Sequence, residues 1–463
     1  MARDGHPDMH GPAIHCGIDL GSTNVKVVLV TEAGEVPGSR TVPTPRVDDA
    51  FGPVTDALAL VGLLEDLITE CWQEAGRGQP LSSITTAGVG EDGIGIDADL
   101  RPTGHSLPWF DNRASAEAAE LCARIDLSAR TGIRTGPDRT AAKWLWSRRN
   151  RPDDLANAAC WVALTDFPAV HWTGRRFMSA SLAPRTACYD VFRRTWIPEL
   201  LDACHAPPLP AVLGAGTALG PVRSGRLVES GVVSRDTVVA VGGHDHPVAA
   251  SAITAREPRR CRSLGTANLL YGEADALPAG MVSGDLAISI PPPGDEGFSL
   301  LGVLEFASAL RATGVSDSRI RDYFPVTNGR YARPPMSTNC IVGKEDPDKR
   351  LHRAIERECL KARRIVRQMG ALGVPIDRIW STGGWSRSRG FMALRASVLG
   401  CPLEIIDAAE LSALGAAQFG ARAATGRLTS LIRADDIRSA DPVAELQAHY
   451  ATLAAEIEVR ERG

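Results

Sequence analysis

An α/β protein of two similar domains around a central cleft is what this sequence predicts. Three observations carry that reading. The stretch 17–30, GIDLGSTNVKVVLV, reads as strand, tight turn and strand, with β-branched residues on both arms. The elements after it run β-β-β-α-β in order, which is not a plain βαβ repeat. LGTAN at 264–268 echoes LGSTN at 20–24, again between two strands, as duplication of one core would produce.

Taken in order, residues 1–12 are expected to form a loose tail. Strands follow at 13–20, 24–31 and 36–42. A helix over 56–75 keeps Leu60, Leu64, Leu67, Ile68 and Cys71 on one stripe. A buried strand at 84–89 then runs into Gly90-Glu91-Asp92-Gly93. This order suits the ribonuclease-H-like core of actin-like ATPases. Between about 100 and 220, helices are expected near 114–125, 141–149 and 153–159. Trp109, Trp144, Trp146, Trp161, Trp172 and Trp196 cluster there. They suit either packed elaboration of the first domain or a cleft wall for a polyhydroxylated ligand. The Pro-, Gly- and Ala-rich run 207–221 reads as the crossover between domains. A strand at 237–243 and a small-residue helix to 255 open the second half. Strands at 285–290, 298–304, 379–382 and 402–406 alternate with helices at 303–313, 349–370, 389–399 and 410–424. The expected domains are therefore 13–235 and 236–430, with a helical tail over 431–463.

Bulk properties exclude several classes. A chain of 463 residues exceeds one ordinary domain. Its formal charge of −4 offers no basic face for nucleic acid. Ten cysteines without a CxxC pair point to neither a zinc site nor a disulfide framework, and reduced cytoplasmic thiols are expected. No apolar run nears the ~20 residues of a membrane span, and Met1–Pro12 has no signal-peptide core.

The chemistry-bearing residues lie at strand ends. Asp19 precedes a tip of Gly21, Ser22, Thr23 and Asn24, with Lys26 beyond it. Backbone N–H groups, hydroxyls and an ammonium on such a tip can converge on one anion, typically phosphate. An ordinary hairpin is the plainer alternative, and a buried ion pair is the plainer role for Asp19. Asp245 ends a strand and begins a helix, as a helix cap or as a carboxylate facing a cleft. His244 and His246 flank it without a third metal ligand and suit structure or sugar hydrogen bonding. Glu91 and Asp92 follow a buried strand, and Trp109, Asp111 and Arg113 alternate in a way that could bracket hydroxyls. Each also reads as surface charge or packing.

Several motifs, in order, resemble the FGGY family of carbohydrate kinases. GIDLGSTNVKVVLV is similar to its first phosphate motif, and VGGHDHPVAA at 241–250 with RSLGTANLLY at 262–271 to its catalytic strand and second phosphate motif. The run from STGGW at 381–385 through GAAQFGA at 415–421 is similar to its adenosine motif and terminal helices. PWFDNR (108–113), TAAKWLW (140–146), DFPAVHWTG (166–174) and SLAPRTACYD (181–190) match further landmarks. The resemblance implies ATP- and Mg²⁺-dependent phosphorylation of a small sugar or polyol, with Asp245 as base and Asp19 orienting the metal beside Asp245. Gly21, Ser22, Thr23, Asn24, Lys26, Gly265 and Thr266 would meet phosphate. Gly383, Gly384 and Ser386 would meet the nucleotide. Glu91, Asp92, Trp109, Asp111, Arg113, His244 and Asp245 would meet the acceptor. Two acids at 91–92 favour a neutral ketose, deoxy sugar or alditol over a sugar acid. A second copy of the chain is compatible as partner.

Departures are visible too. Gly-Glu-Asp-Gly at 90–93 stands where pentulose members often have Gln-Met-His-Gly, so the acceptor pocket is expected to differ from that of an ordinary xylulose kinase. Trp385 follows only two glycines, and the loop at 315–345 is short. Rival readings are an actin- or Hsp70-like nucleotide switch and a degenerate kinase that senses sugar.

Overall fold

Two mixed sheets, each with the same strand order, account for the echo between the halves. The computed structural model describes residues 12–75, 78–254, 263–265, 269–281, 285–316, 323, 326–327, 330–331, 347–407, 410–428 and 430–462. In the first sheet the strand Ile14–Leu20 pairs antiparallel with Asn24–Thr31, which pairs with Gly38–Pro43. On its other side it runs parallel to Ser83–Gly88, which runs parallel to Val238–His244. The antiparallel strand Ala218–Pro221 forms the edge. In the second sheet Ser263–Gly265 pairs antiparallel with Leu269–Ala274, followed by Phe298–Val303 and Leu286–Ser289. It runs parallel to Ile379–Ser381, then Leu403–Ile406, and Ile437–Ala440 closes the edge antiparallel. The two strand orders are equivalent, so the resemblance of LGTAN to LGSTN reflects a shared strand–turn–strand position.

Helix Ala57–Glu74 covers the first sheet with its expected stripe, and Asp56 caps it by accepting from Leu58 N–H and Ala59 N–H. A second, longer helix, Pro347–Ala371, buries Leu351, Ile355, Ala362, Ile365 and Met369 against the other sheet.

Three expectations change. The strand beginning at Val238 does not open the second domain; its register is with Ser83–Gly88 in the first sheet. The run 207–221 is not a crossover, because Ala218–Pro221 is the edge strand of that sheet. An edge tolerates Pro221, whose missing N–H costs no ladder bond there. Residues 431–463 are not a tail. Ile437–Ala440 joins the second sheet, and helix Ala444–Arg462 buries Leu446, Tyr450 and Ala454. The loop 315–345 lies mostly outside the described residues.

Passage between the sheets is made by two small-residue helices. Asp245–Thr254 leaves the first sheet and packs Ala249, Ala250, Ala252 and Ile253 with Leu269, Tyr271 and Trp380 of the second. Leu411–Thr425 returns and lies on the first sheet, with Ala413 and Ala417 against Val28 and Val30. Glycines permit this approach. A Cβ on Gly17 would be driven into the Ala413 carbonyl, one on Gly415 into the Val248 carbonyl, and one on Gly420 into the Ser83 hydroxyl. Gly415→Ala is therefore expected to destabilise the chain by about 1–3 kcal/mol through overpacking. The check is a lowered melting temperature by circular dichroism; an unchanged melt would show that the helix yields freely.

Candidate functional site

Parallel register brings three strand ends together. Gly88 pairs with Leu20 on one side and with His244 on the other. The hairpin tip after Leu20, the loop 89–92 and Asp245 therefore leave the sheet along one edge. In open α/β sheets this carboxyl edge is where ligands bind. The strand end at Asp245 is shaped by two glycines. Gly242 lies against the Thr86 carbonyl with no room for a Cβ, and Gly243 adopts φ 143° where the register shifts. The His244 N–H then donates to Ser181 Oγ at 3.0 Å. The bulge falls just before His244, the last residue of the strand to pair, and Asp245 follows as the first residue of helix Asp245–Thr254.

The tip itself is held from behind. Thr44 Oγ1 donates to the Gly21 carbonyl at 2.7 Å, Arg46 Nη2 to the Ser22 carbonyl at 3.3 Å, and Thr44 N–H to the Thr23 carbonyl at 2.9 Å. Gly21 N–H closes the turn on the Asn24 carbonyl at 3.1 Å. With three carbonyls occupied on one side, the tip is set to offer donors on the other.

Carboxylates crowd this edge. Lys26 Nζ lies 3.7 Å from Asp19 Oδ2 and 2.5 Å from Glu410 Oε2. Burial, with the Asp245 charge added, pushes the Asp19 carboxyl up to about 7 despite Lys26. Asp19 Oδ1 is buried and has no hydrogen-bond partner among the described residues. Burial opposes the Lys26 charge, yet Glu410 and Asp19 raise its pKa. Asp245 Oδ1 accepts from its neighbour's His246 N–H at 2.6 Å and lies 3.4 Å from His244 Nε2. That bond reaches only the next residue, so Asp245 does not make the N2 or N3 contact of a helix cap. Burial holds His244 down to about 4, hence neutral at pH 7.

Glu91 and Asp92 are both buried, each among cations. Glu91 Oε1 accepts from Arg185 Nε at 2.8 Å and also from Arg185 Nη2 and Arg139 Nη1. Burial alone would raise Glu91, but Arg185 and Arg139 hold it at about 2. Asp92 goes the other way. Burial lifts it to about 6 against the charges of Lys143 and Arg46. Lys143 is itself buried and donates to the Leu107 and Pro108 carbonyls at 3.3 and 2.7 Å.

Other expected site residues divide. Trp109 reaches the tip, donating through Nε1–H to Ser22 Oγ at 2.6 Å. Asp111 and Arg113 are engaged with each other. Arg113 Nη2 bonds Asp111 Oδ2 at 2.6 Å, approaches Asp49 at 3.7 Å and stacks over Trp146 at 5.2 Å. The tryptophans divide: Trp144, Trp146, Trp161 and Trp172 are core, Trp196 is half-buried against Tyr189, and Trp109 stands partly exposed at the tip. Gly383 and Gly384 are exposed after the strand Ile379–Ser381, and Gly383 takes φ 95°. Ser386 is buried, and its hydroxyl turns back to the Gly383 carbonyl at 2.7 Å rather than outward. Trp385 packs edge-on against Phe306 at 5.2 Å. Gly265 pairs with Ser381, so the ends of these two parallel strands share one edge. Thr266 lies outside the described residues.

Sequence reasoning missed Thr44, Arg46, Arg139, Lys143, Arg185 and Glu410. Two carried a signal: Lys143 sits within TAAKWLW and Arg185 within SLAPRTACYD, cations in otherwise apolar or small-residue runs. Among the described residues no group of three or more His, Cys, Asp or Glu is arranged to hold a metal. No helix among them is long and apolar enough to cross a membrane.

Comparison with known proteins agrees with this arrangement. The sequence matches the family model "FGGY family of carbohydrate kinases, N-terminal domain" over residues 14–252, and the model of the C-terminal domain over 303–424. It is 24% identical to the xylulose kinase of Streptomyces coelicolor over 96% of this chain and 95% of that protein. The match to the Escherichia coli xylulose kinase is 26% identical but spans 57% of this chain and 55% of the relative. L-fuculokinase of Escherichia coli O157:H7 is 21% identical over 87% of this chain and 91% of its own length. A "xyloylose kinase" structure from Brucella ovis superposes with TM-score 0.84 at 20% identity, covering 96% of this chain and 98% of that one. The ADP-bound glycerol kinase of Plasmodium falciparum gives TM-score 0.79 at 15% identity over 98% and 99%. These superpositions share the fold.

The electrostatics of Asp19 make a prediction about pH. Its carboxyl is raised from 3.8 in the unfolded chain to about 7 in the folded one, so the folded state binds this proton more tightly. Stability from this group is complete below about pH 4 and falls as pH rises to about 7. Asp19→Asn should therefore melt higher than wild type in metal-free buffer at pH 7.5, with the gap closing by pH 4. A constant gap across that range would overturn the assignment.

Proposed function

The chain belongs to the FGGY family of carbohydrate kinases, and on that premise we propose that it transfers the terminal phosphoryl group of ATP to a hydroxyl of a small neutral sugar or polyol, with Asp245 as general base. The observation that carries this reading is the shared register of Leu20, Gly88 and His244. It puts the Glu91–Asp92 loop between a phosphate-type hairpin on one side and Asp245 on the other, along one sheet edge.

Phosphoryl transfer needs alignment, charge neutralisation and a proton acceptor. Asp245, at the end of a bulged strand, would take the proton of the attacking hydroxyl at its carboxylate. The hairpin's N–H groups, the Ser22 and Thr23 hydroxyls and Lys26 would bind the phosphates. Lys26 would exchange part of its pairing with Glu410 and Asp19 for phosphate oxygens. Gly383 and Gly384, which have no side chain in the way, would pass close to adenosine.

Asp19 and Asp245 fit a magnesium ion. The unpartnered Oδ1 of Asp19 and the upward push on its carboxyl are what a divalent cation relieves. Magnesium takes one or two carboxylates and otherwise keeps waters and phosphate oxygens, so a dedicated ligand cage is not required. When bound, the ion neutralises charge on the transferring phosphates.

The acceptor side supports a neutral substrate for a reason different from two free acids. Glu91 is spent on Arg185 and Arg139, and Asp92 faces Lys143 and Arg46. Four cations stand around these two acids, Arg139 also pairs with Asp138, and Lys143 and Arg46 already donate to backbone carbonyls, so the groups here are engaged in ways that suit hydroxyls. A ketose, deoxy sugar or alditol fits this balance. An actin- or Hsp70-like protein switch has no use for such a pocket.

Coupled ADP-release assays over C3–C7 sugars and polyols test the proposal. A productive acceptor should appear, and Asp245→Asn should lower turnover on it by about 10²–10⁴-fold while leaving nucleotide affinity nearly intact. Turnover by the Asn variant at the wild-type rate would refute the role of Asp245.

A further inference from the structure

Trp109 joins the two halves of the candidate site through donors alone. Its indole Nε1–H donates to Ser22 Oγ at 2.6 Å, and its backbone N–H lies near enough to the Asp92 carboxylate to favour that charge. Arg46 runs alongside, between the Ser22 carbonyl at 3.3 Å and the Phe110 ring at 5.6 Å, close enough to Asp92 for its charge to be felt. An indole nitrogen is a donor only, whereas a serine hydroxyl has one proton and two acceptor lone pairs. Once Ser22 Oγ accepts from Trp109, its own proton must point elsewhere. The Ser22 carbonyl is already taken by Arg46. The hydroxyl is therefore fixed as a donor on the open side of the tip, polarised by the bond it accepts.

We propose that Trp109 is a positioning residue that orients the Ser22 hydroxyl proton toward a nucleotide phosphate. The inference rests on reading the hairpin as a phosphate clamp and goes beyond it. It assigns to an acceptor-wall tryptophan a role in binding the triphosphate. Because the same tryptophan lies beside Asp92, it stands between the two proposed subsites.

Calorimetric titration of the full chain with Mg²⁺ and AMP-PNP, and separately with adenosine, tests this. Trp109→Phe keeps an aromatic ring beside Phe110 and removes only the indole N–H. It should weaken AMP-PNP binding on the order of tenfold, the worth of a hydrogen bond to a charged group, and leave adenosine binding unchanged. Ser22→Ala should do the same, and the double variant should lose no more than either single one. Melting curves confirm that each variant is folded. A Trp109→Phe affinity equal to wild type, an equal loss for adenosine, or losses that multiply in the double variant overturns the inference. Failure of the wild-type chain to bind AMP-PNP overturns the phosphate-clamp reading as well, and is told apart because it needs no variant.

Discussion

Everything at this site hangs on how closely helix Leu411–Thr425 lies on the first sheet. Gly17 admits the Ala413 carbonyl, and Gly415 admits the Val248 carbonyl of the other crossing helix. Both contacts are backbone against backbone, so no rotamer change relieves a substitution. The helix begins at Glu410, a non-glycine residue at φ 64°, whose carboxylate reaches Lys26. A contact that fixes the fold thus also sets the charge beside the hairpin. Moving the helix by a methyl group would shift Glu410, and with it the balance among Lys26, Asp19 and Asp245.

That balance is unusual because burial raises Glu91, Asp92 and Asp19 alike, and only Glu91 has cations close enough to reverse it. Glu91 is driven down by two guanidinium groups that touch it. Asp92 and Asp19 are driven up, since their cations stand farther off or are shared. Coulomb attraction repays desolvation only at short range and with good geometry. Glu91 has that geometry and serves as a fixed counter-ion. Asp19 lacks it and retains an unpaired oxygen, as a residue awaiting a cation would. Two carboxylates in one pocket can therefore have different tasks without differing in chemistry.

The sequence disclosed the strands and helices well because their signals are local. The run 17–30 sets a small polar turn between two apolar arms, and helix 57–74 keeps its stripe. The allocation of strands to sheets was less legible. Val238–His244 reads like the start of a second domain, since it follows a Pro- and Gly-rich stretch and precedes an echo of the opening motif. Its partner, Ser83–Gly88, lies far back in the chain, and no local pattern reports that pairing. The same gap hid Arg139 and Arg185. Each looks like an ordinary basic residue until the fold brings both to Glu91. Asp111 and Arg113 show the converse. Their alternation looked like a binding surface, whereas in the fold the two residues pair with each other.

The opening hairpin needed the most help from distant residues. On its own it offers hydroxyls and N–H groups with no stated direction. Thr44 and Arg46 occupy its carbonyls, which turns its backbone one way. Trp109 occupies a lone pair of Ser22, which turns its hydroxyl the same way. Polar groups aligned before a ligand arrives need little reorganisation when charge appears among them. The anion preference proposed for the tip therefore rests on its supports as much as on the LGSTN sequence. It follows that the echo LGTAN, whatever its likeness in letters, would act as a second clamp only where its own carbonyls are held in the same manner.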